Sequence, residues 1–225
     1  MMRALLALLA TGCIAVPPPP VVTMHTDTAA DPEGETTAMI VAGVVLQGLG
    51  GAGVGFALRI EHQQLARTAF GLELSGGYAD TEKRMKSPHQ EFYAFAFRGY
   101  GRSQLGAHDW TCANYGLGLS VLTTGMVAVN GHAGLAVSYP NNNVTPLLHI
   151  GISHAQPLRA GSDFGDMDDH GGVHPSTFLY GAWGLQKQVN ASRHTASLEF
   201  AMAYSLSRGV PLFALGAADA IRATD

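Results

Sequence analysis

Between Asp109 and Arg159 the chain runs for 49 residues without a single Asp, Glu, Lys or Arg. Such a stretch cannot be the exposed surface of an ordinary soluble domain, where charged residues make up roughly 25 to 35%. It does not read as spanning helix either, because Gly, Ser, Thr, Asn and His interrupt it before the roughly 18 consecutive apolar residues a helix needs. The interruptions fall on every second residue. Tyr115, Leu117, Leu119 and Val121 alternate with Asn114, Gly116, Gly118 and Ser120, and Val127, Val129, Ala133, Leu135, Val137 and Tyr139 alternate with Ala128, Asn130, His132, Gly134 and Ser138. That is the period of a strand with two unlike faces, which a helix would mix.

The same pattern recurs on either side. Phe70, Leu72, Leu74 and Tyr78 oppose Gly71, Glu73, Ser75 and Gly77; Tyr93, Phe95 and Phe97 oppose Ala94, Ala96 and Arg98. Leu148, Ile150 and Ile152 follow it, as do Leu179, Trp183 and Leu185, and it is clearest in Ala196, Leu198, Phe200, Met202, Tyr204 and Leu206. Ala38 to Leu58 is uncharged and glycine-rich, so a transmembrane helix competes there. A turn at Gly48 to Gly53, followed by alternation through Val54, Phe56, Leu58 and Ile60, fits two strands better. Pro211 to Ala223 reads as a strand through Phe213, Leu215 and Ala217, or as a short terminal helix. Counting both ends as strands gives ten.

Composition decides which face turns inward. Charged residues are only 13% of the chain and glycines number 28 in 225. The smaller face is mostly Gly, Ala, Ser, Thr and Asn, with Glu73, Arg98 and Glu199 as rare charges, which suits a narrow lumen and not a soluble exterior. The larger apolar face then meets lipid. Tyr78 and Tyr204 fall near one set of strand ends, Trp110 and Tyr139 near the other, as interfacial girdles would place them, and Lys187 sits near a strand end where it can snorkel. The expected connections near 49–52, 80–90, 124–126, 156–176 and 207–209 share one rim. Those near 62–67, 102–109, 140–143 and 189–193 share the other. Both long connections fall on the first rim, as outer loops do.

The first twelve residues, with Arg3 and the apolar run Ala4 to Ala10, read as a processing signal. Ala10-Thr11-Gly12-Cys13 resembles the lipobox of bacterial lipoproteins, which implies that Cys13 is lipidated as the first residue of the mature chain; the usual Leu is here Ala10. Residues 13–37 then form a spacer, with Pro17 to Pro20 favouring extended polyproline II. With Cys13 acylated the chain has no second Cys for a disulfide, and Cys112 is expected to be a small buried residue.

Taken together, the alternating segments resemble small bacterial outer-membrane β-barrel proteins carried behind a lipoprotein-type signal. The resemblance is architectural and departs at the C-terminus, Ala223-Thr224-Asp225, where many such barrels end in an aromatic residue. It implies an all-β fold, an antiparallel up-and-down transmembrane barrel of 8 to 10 strands over residues 38–225. It also implies an outer-membrane address, with outer-membrane lipid as a partner; Lys83, Arg84 and Lys86, on the same rim as the acidic loop, could pair with that loop or touch lipopolysaccharide phosphates.

Chemistry is sparsely signposted. A net charge of -4 leaves no basic footprint for nucleic acid, and two Cys exclude a disulfide framework or a Cys-cluster zinc module. Asp166, Asp168, Asp169 and His170, with Asp163 and His174, form an acidic loop able to hold a divalent cation. It lacks the twelfth-position acid of a calcium loop, where Thr177 stands. His149 and Ser153 share a strand face but lie too far apart along it to be catalytic partners, and Ser153 and His154 point to opposite faces. No Gly-x-Ser-x-Gly elbow, His-Glu-x-x-His site or phosphate loop occurs, and no cofactor is expected. The reading is a noncatalytic outer-membrane barrel lipoprotein with a structural or surface-binding role. The alternatives are a soluble lipocalin-like lipoprotein with its apolar face turned inward on a ligand, and a lipid-modifying barrel enzyme.

Overall fold

The computed structural model describes residues 33–47, 51–81, 90–106, 110–122, 125–139, 144–159, 175–189, 194–206, 209 and 211–223. They form ten strands: β1 (Thr36–Gln47), β2 (Gly51–Leu65), β3 (Thr68–Thr81), β4 (Gln90–Gln104), β5 (Thr111–Leu122), β6 (Val127–Ser138), β7 (Thr145–Arg159), β8 (Ser176–Val189), β9 (His194–Ser205) and β10 (Pro211–Ala223). Each strand pairs antiparallel with its neighbour in sequence, and β10 closes on β1, from Thr36 opposite Ala223 to Gln47 opposite Leu212. Closure removes both sheet edges, so every strand has a backbone partner on each side. Following one row of paired residues round the ring returns to β1 displaced by about a dozen residues, the stagger that tilted barrel strands require.

Both ambiguous ends are strands. Ala38 to Leu58 divides into β1 and β2, and among the described residues no helix is long and apolar enough to cross a membrane. The alanine-rich Pro211–Ala223 segment is drawn into the sheet by closure, since its Ala218 packs inside against Val41 and Ala57. Strand ends run further than the residue pattern suggests. β2 continues to Leu65, leaving only Ala66 and Arg67 as the turn, and β7 continues to Arg159. The cause is chemical: His62, Gln64 and Gln156 keep the strand's alternation but are polar because they stand at the rim.

With an even strand count and short connections, one rim carries the β3–β4 and β7–β8 connections, the two longest, and the other carries the chain's entry into β1 and its exit from β10. We call these the long-loop rim and the short-turn rim. Tight turns are fixed locally. At the β5–β6 turn the Gly125 N–H donates to the Leu122 carbonyl at 2.9 Å with φ of 79°, a conformation that glycine adopts without strain. On the other rim Gly106, with φ of 79°, accepts a bond from Arg67 Nη1 at 2.8 Å.

Candidate functional site: a charged belt across the lumen

Alternation sorts the side chains sharply. Outward Leu117 is 67% exposed, whereas inward Glu73 and Arg98 are each 2% exposed. On the inward register of β2 lie Arg59, Glu61 and Gln63; on β3, Glu73 and Ser75; on β4, Arg98, Tyr100 and Arg102. Glu73 is directly opposite Arg59 on one side and Arg98 on the other. One carboxylate therefore takes two guanidiniums: Arg59 Nη2 donates to Oε2 at 2.8 Å with Nε at 3.2 Å, and Arg98 Nη2 donates to Oε1. Towards the short-turn rim Arg102 pairs with Glu61, and the Arg59 guanidinium stacks 4.6 Å from the centre of the Tyr100 ring. Arg98 Nη1 also approaches His132 Nδ1 at 3.5 Å.

Glycines make room for these large side chains. Gly71 is the cross-strand neighbour of Tyr100, Gly116 of His132, Gly118 of Arg98, Gly151 of Tyr180 and Gly184 of Glu199. A Cβ on Gly71 would stand 2.6 Å from Tyr100 Cζ, one on Gly116 2.5 Å from His132 Cε1 and one on Gly151 2.4 Å from the Tyr180 hydroxyl. Large and small residues are thus paired by register.

Around the belt the lining changes. Phe178, Tyr180, Ala182, Ala201, Ala203 and Ala214 pack together on the β8–β10 side, and Leu122, Met126, Ala128 and Ala155 form a second apolar group near the long-loop rim. Between that group and the belt lie Ser120, Asn130 and Ser153. Their side-chain oxygens, and Asn130 Nδ2, have no hydrogen-bond partner among the described residues. Buried polar groups are ordinarily bonded, so this stretch is a wall suited to water.

The outer surface forms an apolar band between two aromatic levels. Trp110 and Tyr139 meet edge-on at 5.9 Å on the short-turn rim, and Tyr78 and Tyr93 at 5.1 Å on the long-loop rim, where exposed Tyr204 also stands. No protein-family model matches the chain, and no curated protein matches its sequence. Among solved structures it is similar to an outer membrane channel from Pseudomonas putida F1, at 9% identity over 88% of this chain and 98% of that one, with a TM-score of 0.52. It also matches the translocator domain of the autotransporter NalP from Neisseria meningitidis, at 13% identity over 85% of this chain and 89% of that domain, with a TM-score of 0.48. The fold is that of an outer-membrane β-barrel.

The soluble lipocalin-like alternative required the large apolar face to point inward; in this barrel it points outward, and the inward face carries small residues and paired charges. The structure places Glu73, Arg98 and Glu199 on the inward face, all three buried. It joins Glu73 to both Arg59 and Arg98, while Glu199 stands on β9 and feels Arg59 electrostatically. Tyr100 and Arg102 are not among the inward residues read from the sequence, although each sits two residues from another inward polar residue on β4. His149 and Ser153 are inward and buried, and outward His154 bonds Thr177 at 2.8 Å. Cys112 is fully buried. Cys13, the loop residues Asp166, Asp168, Asp169 and His170, and Lys83, Arg84 and Lys86 lie outside the described residues.

Proposed function

We propose that this chain is an integral, noncatalytic barrel of a bacterial outer membrane, tethered a second time by lipid on Cys13, and that its long-loop rim does structural or surface-binding work. The outward face carries the argument. From Ile40 on β1 to Ile221 on β10 every strand turns large apolar side chains outward. Each forgoes roughly 1.5 to 3 kcal/mol in water that a hydrocarbon environment restores. The belt supplies the second half of the reading: an Arg–Glu–Arg bridge at 2 to 5% exposure occupies the inner wall of β2 to β4, which supports a role at the rims over one in passing solutes. The chain enters β1 at the short-turn rim, which favours a lipid tether in the leaflet on that side.

The test is a membrane preparation from a Gram-negative host expressing the full chain. The expected result is recovery with the outer membrane, extraction by detergent only, and a gel mobility that shifts on boiling. A Cys13→Ala variant should lose acyl label yet keep that mobility shift, and an epitope placed between Gly161 and Gly172 should be reached by antibody on intact cells. Release into buffer would overturn the membrane reading, absence of acyl label the tether, and an epitope reached only after lysis the outward orientation.

A further inference from the structure

On the outward face of β8 to β10 at the short-turn rim, three polar residues stand among apolar ones. Lys187 on β8 is the cross-strand neighbour of Ala196 on β9, and Ala196 is the neighbour of Asp219 on β10. His194, two residues from Ala196 on the same outward register, holds Asp219 through Nδ1 at 3.4 Å. Neighbouring strands lie about 4.8 Å apart, so a cation and an anion stand roughly 10 Å apart with only a methyl group between them. Lys187 has no ion-pair partner among the described residues, and the single long contact from His194 leaves the Asp219 carboxylate with acceptor capacity. Asp219 is 54% exposed by its side chain and lies two residues further into the sheet than outward Ile221, where a carboxylate facing lipid is costly without a cationic partner.

We propose that Lys187, His194 and Asp219 form a site for the headgroup of a phosphatidylethanolamine-type lipid in the leaflet at the short-turn rim. The proposal rests on the membrane reading above. The phosphate is held by the Lys187 ammonium and the His194 ring, and the primary ammonium of the headgroup donates to the Asp219 carboxylate over Ala196. Each charge on the wall meets its opposite. A phosphatidylcholine headgroup carries no N–H to donate, and a phosphatidylglycerol headgroup offers Asp219 only neutral hydroxyls, without the charge that strengthens a bond from an ammonium.

The experiment is native mass spectrometry of the full-length protein in detergent, with dioleoyl phosphatidylethanolamine, phosphatidylcholine or phosphatidylglycerol added in equal amounts, and with inorganic phosphate as a separate competitor. The wild-type protein is expected to retain phosphatidylethanolamine about tenfold over either other lipid, a difference of about 1.4 kcal/mol. Lys187→Gln and Asp219→Asn should each bring retention close to parity, while Leu198→Ala, a neighbouring outward change, should leave the preference intact. Equal retention by the wild type, or an undiminished preference in Asp219→Asn, overturns the site. Displacement of the lipid by inorganic phosphate alone reduces it to a simple anion site and overturns the headgroup assignment. Each variant is checked for its unheated gel mobility, and Lys187→Arg, which keeps the charge, should retain the preference if the site is real. A wild-type protein that needs no detergent would instead overturn the membrane reading itself.

Discussion

The two walls of the lumen are built on different principles. On β2 to β4 the inward register carries Arg59, Glu61, Glu73, Arg98, Tyr100 and Arg102, long polar side chains that fill space by reaching across it. On β8 to β10 it carries mostly small residues, Ala182, Ala201, Ala203, Ala214, Ala218 and Ala220 among them, with Phe178, Tyr180 and Glu199 as large buried members. A barrel of this width is filled when one wall projects and the other recedes. The charged wall gains specificity from register, since each guanidinium has a fixed partner. The alanine wall is closely packed around Phe178 and Tyr180. The first should fail when a charge is orphaned, the second when volume is added.

The largest effect follows from removing the shared carboxylate. In Glu73→Ala, Arg59 and Arg98 stay buried without their anion, and breaking such a pair costs roughly 3 to 5 kcal/mol. Urea-dependent folding into lipid vesicles, read by tryptophan fluorescence and by the unheated gel band, should show a loss of that size. Replacing the whole triad with Arg59→Met, Glu73→Leu and Arg98→Met should recover most of it, because an apolar filling of similar volume removes the desolvation cost together with the attraction. A loss below about 1 kcal/mol in Glu73→Ala would mean that Glu199 or water compensates the arginines and that the two walls are less distinct than their geometry suggests.

Much of this contrast was legible in the sequence, and the rest was hidden for identifiable reasons. Period-two alternation shows the inward and outward faces directly, because side chains on a strand can point only two ways. It does not show which residue stands opposite which. The Gly71–Tyr100, Gly118–Arg98 and Gly151–Tyr180 pairings depend on register, set by the turns and by closure of β10 on β1, and these lie far apart in sequence. Arg102 does not stand out because it sits close to a rim, where polar residues read as turn. Pro211–Ala223 was ambiguous because alanine favours helix when isolated, a preference overridden here by pairing on both sides.

The alanine wall gives a smaller effect of the opposite kind. Ala201 is buried in contact with the Phe178 and Tyr180 cluster. Ala201→Leu adds three carbons where the neighbours are already packed, and overpacking of this kind costs about 1 to 3 kcal/mol. The same urea titration should place it between wild type and Glu73→Ala. A change within about 0.5 kcal/mol would show that the wall has room to give, and the division between projecting and receding walls would then be a matter of sequence alone.

The smallest expected effect separates inside from outside at two glycines on adjoining strands. A Cβ on inward Gly118 would lie 2.1 Å from the Phe97 carbonyl oxygen and 2.3 Å from Arg98 Cγ, whereas one on outward Gly99 would meet nothing within 4 Å. Gly99 is paired with Leu72 and Leu117, both of which face outward, so a branched apolar side chain there extends the lipid-facing band and favours the strand. Gly99→Val should therefore stabilise the barrel by about 0.5 to 1 kcal/mol, since glycine in a strand interior forfeits roughly that much. Gly118→Val should lower stability in the same assay, because backbone as well as Arg98 must move. If Gly99→Val destabilises the barrel while its gel shift is retained, the outward surface at that height is not in lipid, and the search for what covers it begins at Gly99.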